Sequence, residues 1–558
     1  MKLVLRLFAA VLVCATAAPR LHADAYDAKP KLVVIMVWDQ FRGDYLDRYR
    51  ADFKAPNGWN LFLKKGAHFT DCYYDYANLI TAAGHSTIGT GAYTSGHGIP
   101  GNGWFEPLGN GKFREVSSVD DYRYRIVGEA PGVATSPGVS PHKELATTLG
   151  DELVLASGGR SRVYGVSLKD RAAVLTSGHA TKAAFWTDHD NGRWLTSTYW
   201  MPQLPAWAEK INETAVADAR KQAGIPEGSF YEKVGRTAAG VAYQLNFAKA
   251  LIANEHLGNN PDGVTDMITI SISSTDINGH QVGPDDPSQK KLIVDSDALL
   301  NDFFNFLDKQ VGLKNVLIGL SGDHGVGLTA KSAEAMGMPA LNIQQKTFLA
   351  ALEQKLDKRF PKKAKGKYVL GLNVPFIQLN QEQFEQAGVS EEQAENAARE
   401  ELMKVFAEET PANPATPFET RQPEPAIATH IYTVSEMREG RLPNTQYGRL
   451  IAHSYSPYIG WGIHVNYGAY QFPGNLPATH FTGNSYDRHV PLDLYGAAIV
   501  PGTYHGVVAP VDIAATFASL LRINRPSAAV GNVLTQAIKP EAAGSTWVKE
   551  APVTSKKR

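Results

Sequence analysis

The chain has 558 residues, 43% hydrophobic and 20% charged, which suits a large folded body and excludes disorder as the main state. Lysine and arginine number 55 against 56 aspartates and glutamates, so no global field draws the chain to nucleic acid or to an anionic membrane. The 50 glycines and 32 prolines supply many turns without a collagen-like or low-complexity period.

Lys2 and Arg6 precede an apolar run over residues 7–18, and Ala23 and Ala25 form an Ala-Asp-Ala cleavage pattern. Residues 1–25 therefore read as a secretory signal, too short for a comfortable membrane span, and the mature chain is expected in the periplasm or secreted. No later run reaches 18 consecutive apolar residues, so no membrane span is expected. Cys72 is then the one cysteine left, in Phe-Thr-Asp-Cys-Tyr-Tyr without a basic neighbour, which predicts a buried structural thiol and no intrachain disulfide.

Residues 31–38, Lys-Leu-Val-Val-Ile-Met-Val-Trp, predict a central strand buried on both faces and ending in Asp39. Residues 162–168 form a second run ending in Lys169-Asp170-Arg171. Residues 267–273 lead to Asp276, and residues 316–320 to Asp323-His324. Between the last two, Ile293, Leu300, Phe303, Phe304, Leu307 and Val311 recur at helical spacing. The order of strand, polar segment, helix and strand predicts an α/β fold with a mostly parallel sheet flanked by helices. In such sheets ligands gather outside the carboxyl ends of the strands.

Residues 331–440 change character. Residues 368–379 form a strand-like stretch interrupted by Pro375, Ser390 and Gln393 form a capping box for a helix through Phe406, and residues 410–425 hold five prolines and read as an extended connector. The expected organisation is a signal over 1–25, a first part of the core over 26–330, an insertion or cap over 331–440, and a return of the core over 441–558. That return ends in a solvated tail, Lys556-Lys557-Arg558.

The chemistry-bearing residues fall beside the predicted strands. Asp276 and His280, four apart, share one side of a helix and can approach one cation, or simply form a polar cap. Asp323 and His324 are adjacent and reach one ion only where the chain turns, which Gly322 and Gly325 allow; a plain turn is the alternative. With Asp39 and with His489 of Asp-Arg-His-Val-Pro-Leu they supply three carboxylates and three imidazoles, a set that suits two Zn²⁺ ions better than Mg²⁺. Thr81 opens a predicted helix before a glycine-rich segment. It reads either as an N-cap or as a metal-activated nucleophile at a helix end that receives an anion.

Together, Trp38-Asp39, Thr81-Ala-Ala-Gly-His, Gly98-Ile-Pro-Gly-Asn102, Lys169-Asp-Arg171, Asp276-Ile-Asn-Gly-His280, Ser321-Gly-Asp-His324 and Asp487-Arg-His489-Val-Pro make the chain resemble one family. It is the secreted, threonine-dependent alkaline phosphatases in the nucleotide pyrophosphatase/phosphodiesterase branch of the alkaline phosphatase superfamily. The resemblance implies one zinc held by Asp276, His280 and His489, and another held by Asp39, Asp323 and His324 and faced by Thr81. It implies that Asn102, Lys169 and Arg171 contact the phosphoryl oxygens; a plain turn residue is the alternative for Asn102, and taken alone the other two read as strand-edge charges. The Lys-x-Arg pair resembles the monoesterase version, because a monoester dianion presents more bare oxygen charge than a diester.

The function so implied is hydrolysis of small-molecule phosphate monoesters through a phosphothreonine at a two-zinc site. A phosphodiesterase or nucleotide pyrophosphatase using the same threonine, and a non-catalytic metal-dependent phosphate-binding protein, are the alternatives. A sulfatase lacks its Cys-x-Pro-x-Arg here, Gly84-His85-Ser86-Thr87-Ile88 lacks the final glycine of a serine-hydrolase elbow, and no Gly-Lys-Ser/Thr phosphate loop occurs.

Overall fold

In the computed structural model, residues 29–540 are described apart from 110–111, 131, 133–136, 339, 362–364 and 410–426. The expected signal, the proline-rich connector and the basic tail lie outside the described residues.

The run after Lys31 forms β1 (Leu32–Trp38), buried along its whole length. Its side chains alternate between two cores: Leu32, Val34, Met36 and Trp38 enter one, Val33, Ile35 and Val37 the other. Successive strand residues point to opposite faces, so a sheet covered on both sides demands an unbroken apolar run. Around β1 lie β2 (Ala67–Tyr73), β3 (Val163–Ser167), β4 (Asp266–Ile272), β5 (Val316–Gly322) and β6 (His489–Tyr495), in the order β2-β6-β5-β1-β4-β3 within an eleven-stranded sheet. The strands β5, β1, β4 and β3 are all parallel, while β6 runs antiparallel between β5 and β2. Trp38 is level with Ile272 on one side and Gly322 on the other, so the residues that follow all three strands emerge at one height of one edge.

Four helices matter for that edge: α1 (Thr81–Thr90), α2 (Asp170–Ser177), α3 (Ser274–Val282) and α4 (Pro287–Gln310). The apolar periodicity is realised in α4, which buries Ile293, Leu300, Phe303, Phe304 and Leu307 in the core shared with Leu32 and Val34. Each such side chain contributes about 1.5–3 kcal/mol of transfer free energy. Asp286 Oδ1 caps α4 by accepting from the Ser288 N–H at 2.8 Å, and Pro287 occupies the first turn, where a missing N–H costs nothing. Cys72 is free and buried in the other core, and burial pushes its thiol well up.

A second layer carries its own core of Phe348, Leu352, Tyr368, Ile377, Leu402 and Val465. Its four-stranded sheet runs Val369–Asn373, Phe376–Leu379, Gly462–Tyr467, Ala428–Thr433 in spatial order. Pro375 lies in the turn between the first two strands, so the interrupted stretch is a hairpin. The Ser390 N–H donates to Gln393 Oε1 at 3.0 Å and the Gln393 N–H to Ser390 Oγ at 3.4 Å, a reciprocal cap. The helix it opens runs to Glu409, past the expected end at Phe406, because Ala-Glu-Glu continues the run of good helix formers.

Candidate active site

Thr81 is the first residue of α1, but Ile80, in extended backbone, occupies the cap position. The capping bond comes from elsewhere: Asn102 Oδ1 accepts from the Ala82 N–H at 3.0 Å. Both residues line a cavity of about 360 Å³ that also touches Lys169, Arg171, Asp276 and His280. Leu372 and Val374 of the second layer bound the same cavity. Gly84 lets α1 lie directly on the end of β5, because a Cβ there would stand 2.2 Å from the Asp323 carbonyl oxygen.

The residues after the parallel strands form one buried cluster. On α3, His280 Nε2 is 3.1 Å from Asp276 Oδ1. His324 Nε2 lies 3.4 Å from Asp323 Oδ2 and 3.6 Å from Asp39 Oδ1. The turn that brings Asp323 and His324 together passes backbone so closely that a Cβ at Gly325 would sit 2.2 Å from the Tyr486 carbonyl oxygen. Asp276, His280 and His480 form one group of ligand atoms close enough to share a cation, and Asp39, Asp276 and His324 form another.

His489 is not in the cluster, which corrects the expected ligand set. Its Nε2 is 2.9 Å from the Thr70 carbonyl oxygen and its ring stacks on Tyr73 at 4.6 Å. Gly43 packs against the other side, where a Cβ would stand 2.5 Å from the imidazole. The third imidazole is His480, whose ring stacks on His324 at 3.5 Å and whose Nε2 is 3.8 Å from Asp276 Oδ1. It lies in a loop without periodicity, and only its residue type offered a signal. Gln40, also missed, has a left-handed φ of 58°. That conformation aims its N–H at Asp323 Oδ1 (3.0 Å) and its Nε2 at Asp276 Oδ1 (2.8 Å).

The three imidazoles are oriented alike. His280 Nδ1 faces the Ala478 carbonyl at 2.9 Å, His480 Nδ1 that of Leu79 at 2.6 Å, and His324 Nδ1 that of Gly325 at 3.1 Å. A carbonyl only accepts, so each Nδ1 carries a proton and Nε2 is the ring nitrogen that faces the carboxylates. Asp39 Oδ1, Asp323 Oδ2 and His324 Nε2 are buried without any hydrogen-bond partner. Unpaired buried acceptors cost about 1–3 kcal/mol each, and three converging on one point fit a bound cation. The nitrogen and oxygen donor set suits a borderline ion such as zinc.

The internal cation of the cluster is Lys169, whose Nζ donates to Asp39 Oδ2 and Asp276 Oδ2, both at 2.6 Å. Although burial opposes its charge, Asp276 and Asp39 raise its pKa, so it stays an ammonium. Burial and the negative charge of Asp276 push Asp39 well above the usual carboxylate range, and burial takes Asp323 to about 7. Asp276 goes the other way: burial works against its charge, but His280 and Lys169 hold it well below normal. Burial, reinforced by His280, lowers His480 to about 3. Arg171, in the first turn of α2, lines the cavity with a buried Nε that has no partner. Lys169 and Arg171 are thus not solvated strand-edge charges.

Fold and cavity define an α/β protein that sets candidate cation ligands and cationic side chains side by side at the carboxyl edge of its sheet. The chain belongs to the type I phosphodiesterase / nucleotide pyrophosphatase family, which matches residues 33–443. It is 30% identical over 551 residues to alkaline phosphatase PhoV of Synechococcus elongatus, covering 92% of this chain and 94% of the relative. A Myroides odoratus protein named calcium-transporting ATPase is 30% identical over 553 residues, covering 92% and 95%. Alkaline phosphatase PafA of Elizabethkingia meningoseptica is 30% identical over 558 residues, covering 91% and 95%. A wild-type PafA crystal structure superposes with a TM-score of 0.77 at 29% identity over 92% of this chain and 99% of that one.

Proposed function

We propose that this protein is an alkaline phosphatase that hydrolyses small-molecule phosphate monoesters through a phosphothreonine on Thr81, with two zinc ions as cofactors. The observation that carries the reading is one cavity lined by Thr81, Asn102, Lys169 and Arg171 and opening onto the cluster of carboxylates and imidazoles. The relatives named alkaline phosphatase match over nearly their whole length, which supports it.

Asp276, His280 and His480 would hold one ion, and Asp39, Asp323 and His324 the other. Bound zinc would lower the pKa of a coordinated hydroxyl or water and stabilise a departing oxygen. Thr81 Oγ forms a bond to phosphorus as the ester oxygen leaves; water then breaks the phosphothreonine and frees phosphate. Because Ile80 rather than Thr81 caps α1, the hydroxyl is not committed to the helix. The Lys169 and Arg171 cations complement the dianion of a monoester, where a diester would place a second organic group. Residues 1–25 support export to the periplasm or beyond.

Zinc-loaded protein is expected to cleave an aryl phosphate monoester with a much higher kcat/KM than the matched aryl methyl diester; the reverse ranking would reject the assignment in favour of a diesterase. Thr81→Ala is expected to keep its metal while losing both turnover and covalent phosphate. Full turnover by the folded, loaded variant would refute the nucleophile.

A further inference from the structure

The segment Asp487-Arg488-His489 lies outside the catalytic cavity, yet Arg488 is 8% exposed. Its Nε donates to the Tyr74 carbonyl at 2.7 Å and its guanidinium lies 5.9 Å from the centre of the Tyr73 ring. Among the described residues it makes no ion pair. It lines a groove of about 580 Å³ that shares no lining residue with the catalytic cavity and that Arg449 also lines.

The carboxylates of this groove leave Arg488 without a salt bridge. Asp75 is bound to Arg449, its Oδ1 accepting from Nη2 at 3.0 Å and from Nε at 3.2 Å. Asp512, which also lines the groove, spends both oxygens on main-chain N–H groups: Oδ1 accepts from the Asn532 N–H at 2.7 Å and Oδ2 from the Ala509 N–H at 2.9 Å. Burial raises the Asp512 carboxyl while these two main-chain N–H groups lower it, and neither of its oxygens is bound to a guanidinium. Two guanidinium groups therefore share one available carboxylate, and burial lowers the pKa of the unpaired Arg488. A buried charge is costly without a counter-charge, and guanidinium amino groups match the oxygens of an oxyanion. Asn532, Gln446 and Ser485 add neutral donors around the same space.

We propose that this groove is a second, non-catalytic binding site for a phosphate-class oxyanion, held by the free amino groups of Arg488 together with Arg449. Equilibrium dialysis of the metal-loaded protein against labelled inorganic phosphate tests it. Val507 lines the groove and is 79% exposed, so Val507→Asp places a repelling charge at the rim without disturbing the core. Beyond any phosphate taken by the catalytic cavity, wild type is expected to bind one further equivalent that Val507→Asp and Arg488→Gln each weaken at least tenfold, with kcat on an aryl phosphate unchanged in Val507→Asp. Equal stoichiometry and affinity in wild type and Val507→Asp would overturn the proposal. The readout is the difference between wild type and variant, so it stands whether or not the catalytic cavity also takes phosphate.

Discussion

Each imidazole of the cluster spends its Nδ1 on a main-chain carbonyl, which leaves a single nitrogen to bind metal. Removing one ring should therefore remove one ligand and little else. His480→Ala is expected to lose one of two zinc equivalents on dialysis, with an affinity drop beyond the roughly 10- to 100-fold typical of losing an outer hydrogen-bond partner. His489→Ala should keep both, since that ring only packs between Tyr73 and Gly43; elemental analysis of the two variants separates the cases. Arg171→Ala should cost a monoester about 2–4 kcal/mol more in transition-state stabilisation than a diester. Asp39, Asp276 and Asp323 were legible because each follows an apolar strand. His489 opens its strand instead of following one, and its place among the ligands came from the family resemblance: the β5–β6 register brings its backbone to the correct edge, but its side chain turns to Tyr73. His480 follows no strand, and only the folded loop brings it to His324.

At the scale of the element, the position of Thr81 depends on how closely α1 approaches the turn after β5. Gly84→Ala would force a Cβ to within 2.2 Å of a main-chain oxygen, which a helix relieves only by moving away. The expected outcome is a stability loss of about 1–3 kcal/mol together with a fall in kcat/KM larger than that loss explains, because Thr81 shifts relative to Asp323. Thermal unfolding and kinetics on one preparation would check this, and unimpaired turnover would contradict it. The central elements were legible for a simple reason: β1, covered on both faces, reads as an unbroken apolar run, and α4, which buries one face, reads as helical periodicity. The second-layer strands are short, and the hairpin turn at Pro375 reads in sequence as a break.

For the whole molecule, near-neutral net charge hides a buried concentration of acid that only cations relieve. In the metal-stripped protein burial raises Asp39 and Asp323, the latter to about 7, against an unfolded value near 4. Between about pH 4 and 7 these two carboxyls hold protons in the folded chain that the unfolded chain has lost, so their contribution to stability falls as pH rises through that window, and Asp323 contributes no further loss above it. Asp276, held low by His280 and Lys169, acts in the opposite sense below that range, and His480, lowered by burial to about 3, acts in the opposite sense within it. Zinc bound as proposed would keep the ligating carboxylates ionised and remove the penalty, and its affinity would grow as protons leave. The gap in Tm between loaded and chelator-stripped protein should accordingly widen from pH 5 to pH 8. Calorimetry at fixed ionic strength measures it, and two parallel curves would mean that the buried carboxylates do not compete with cations for protons.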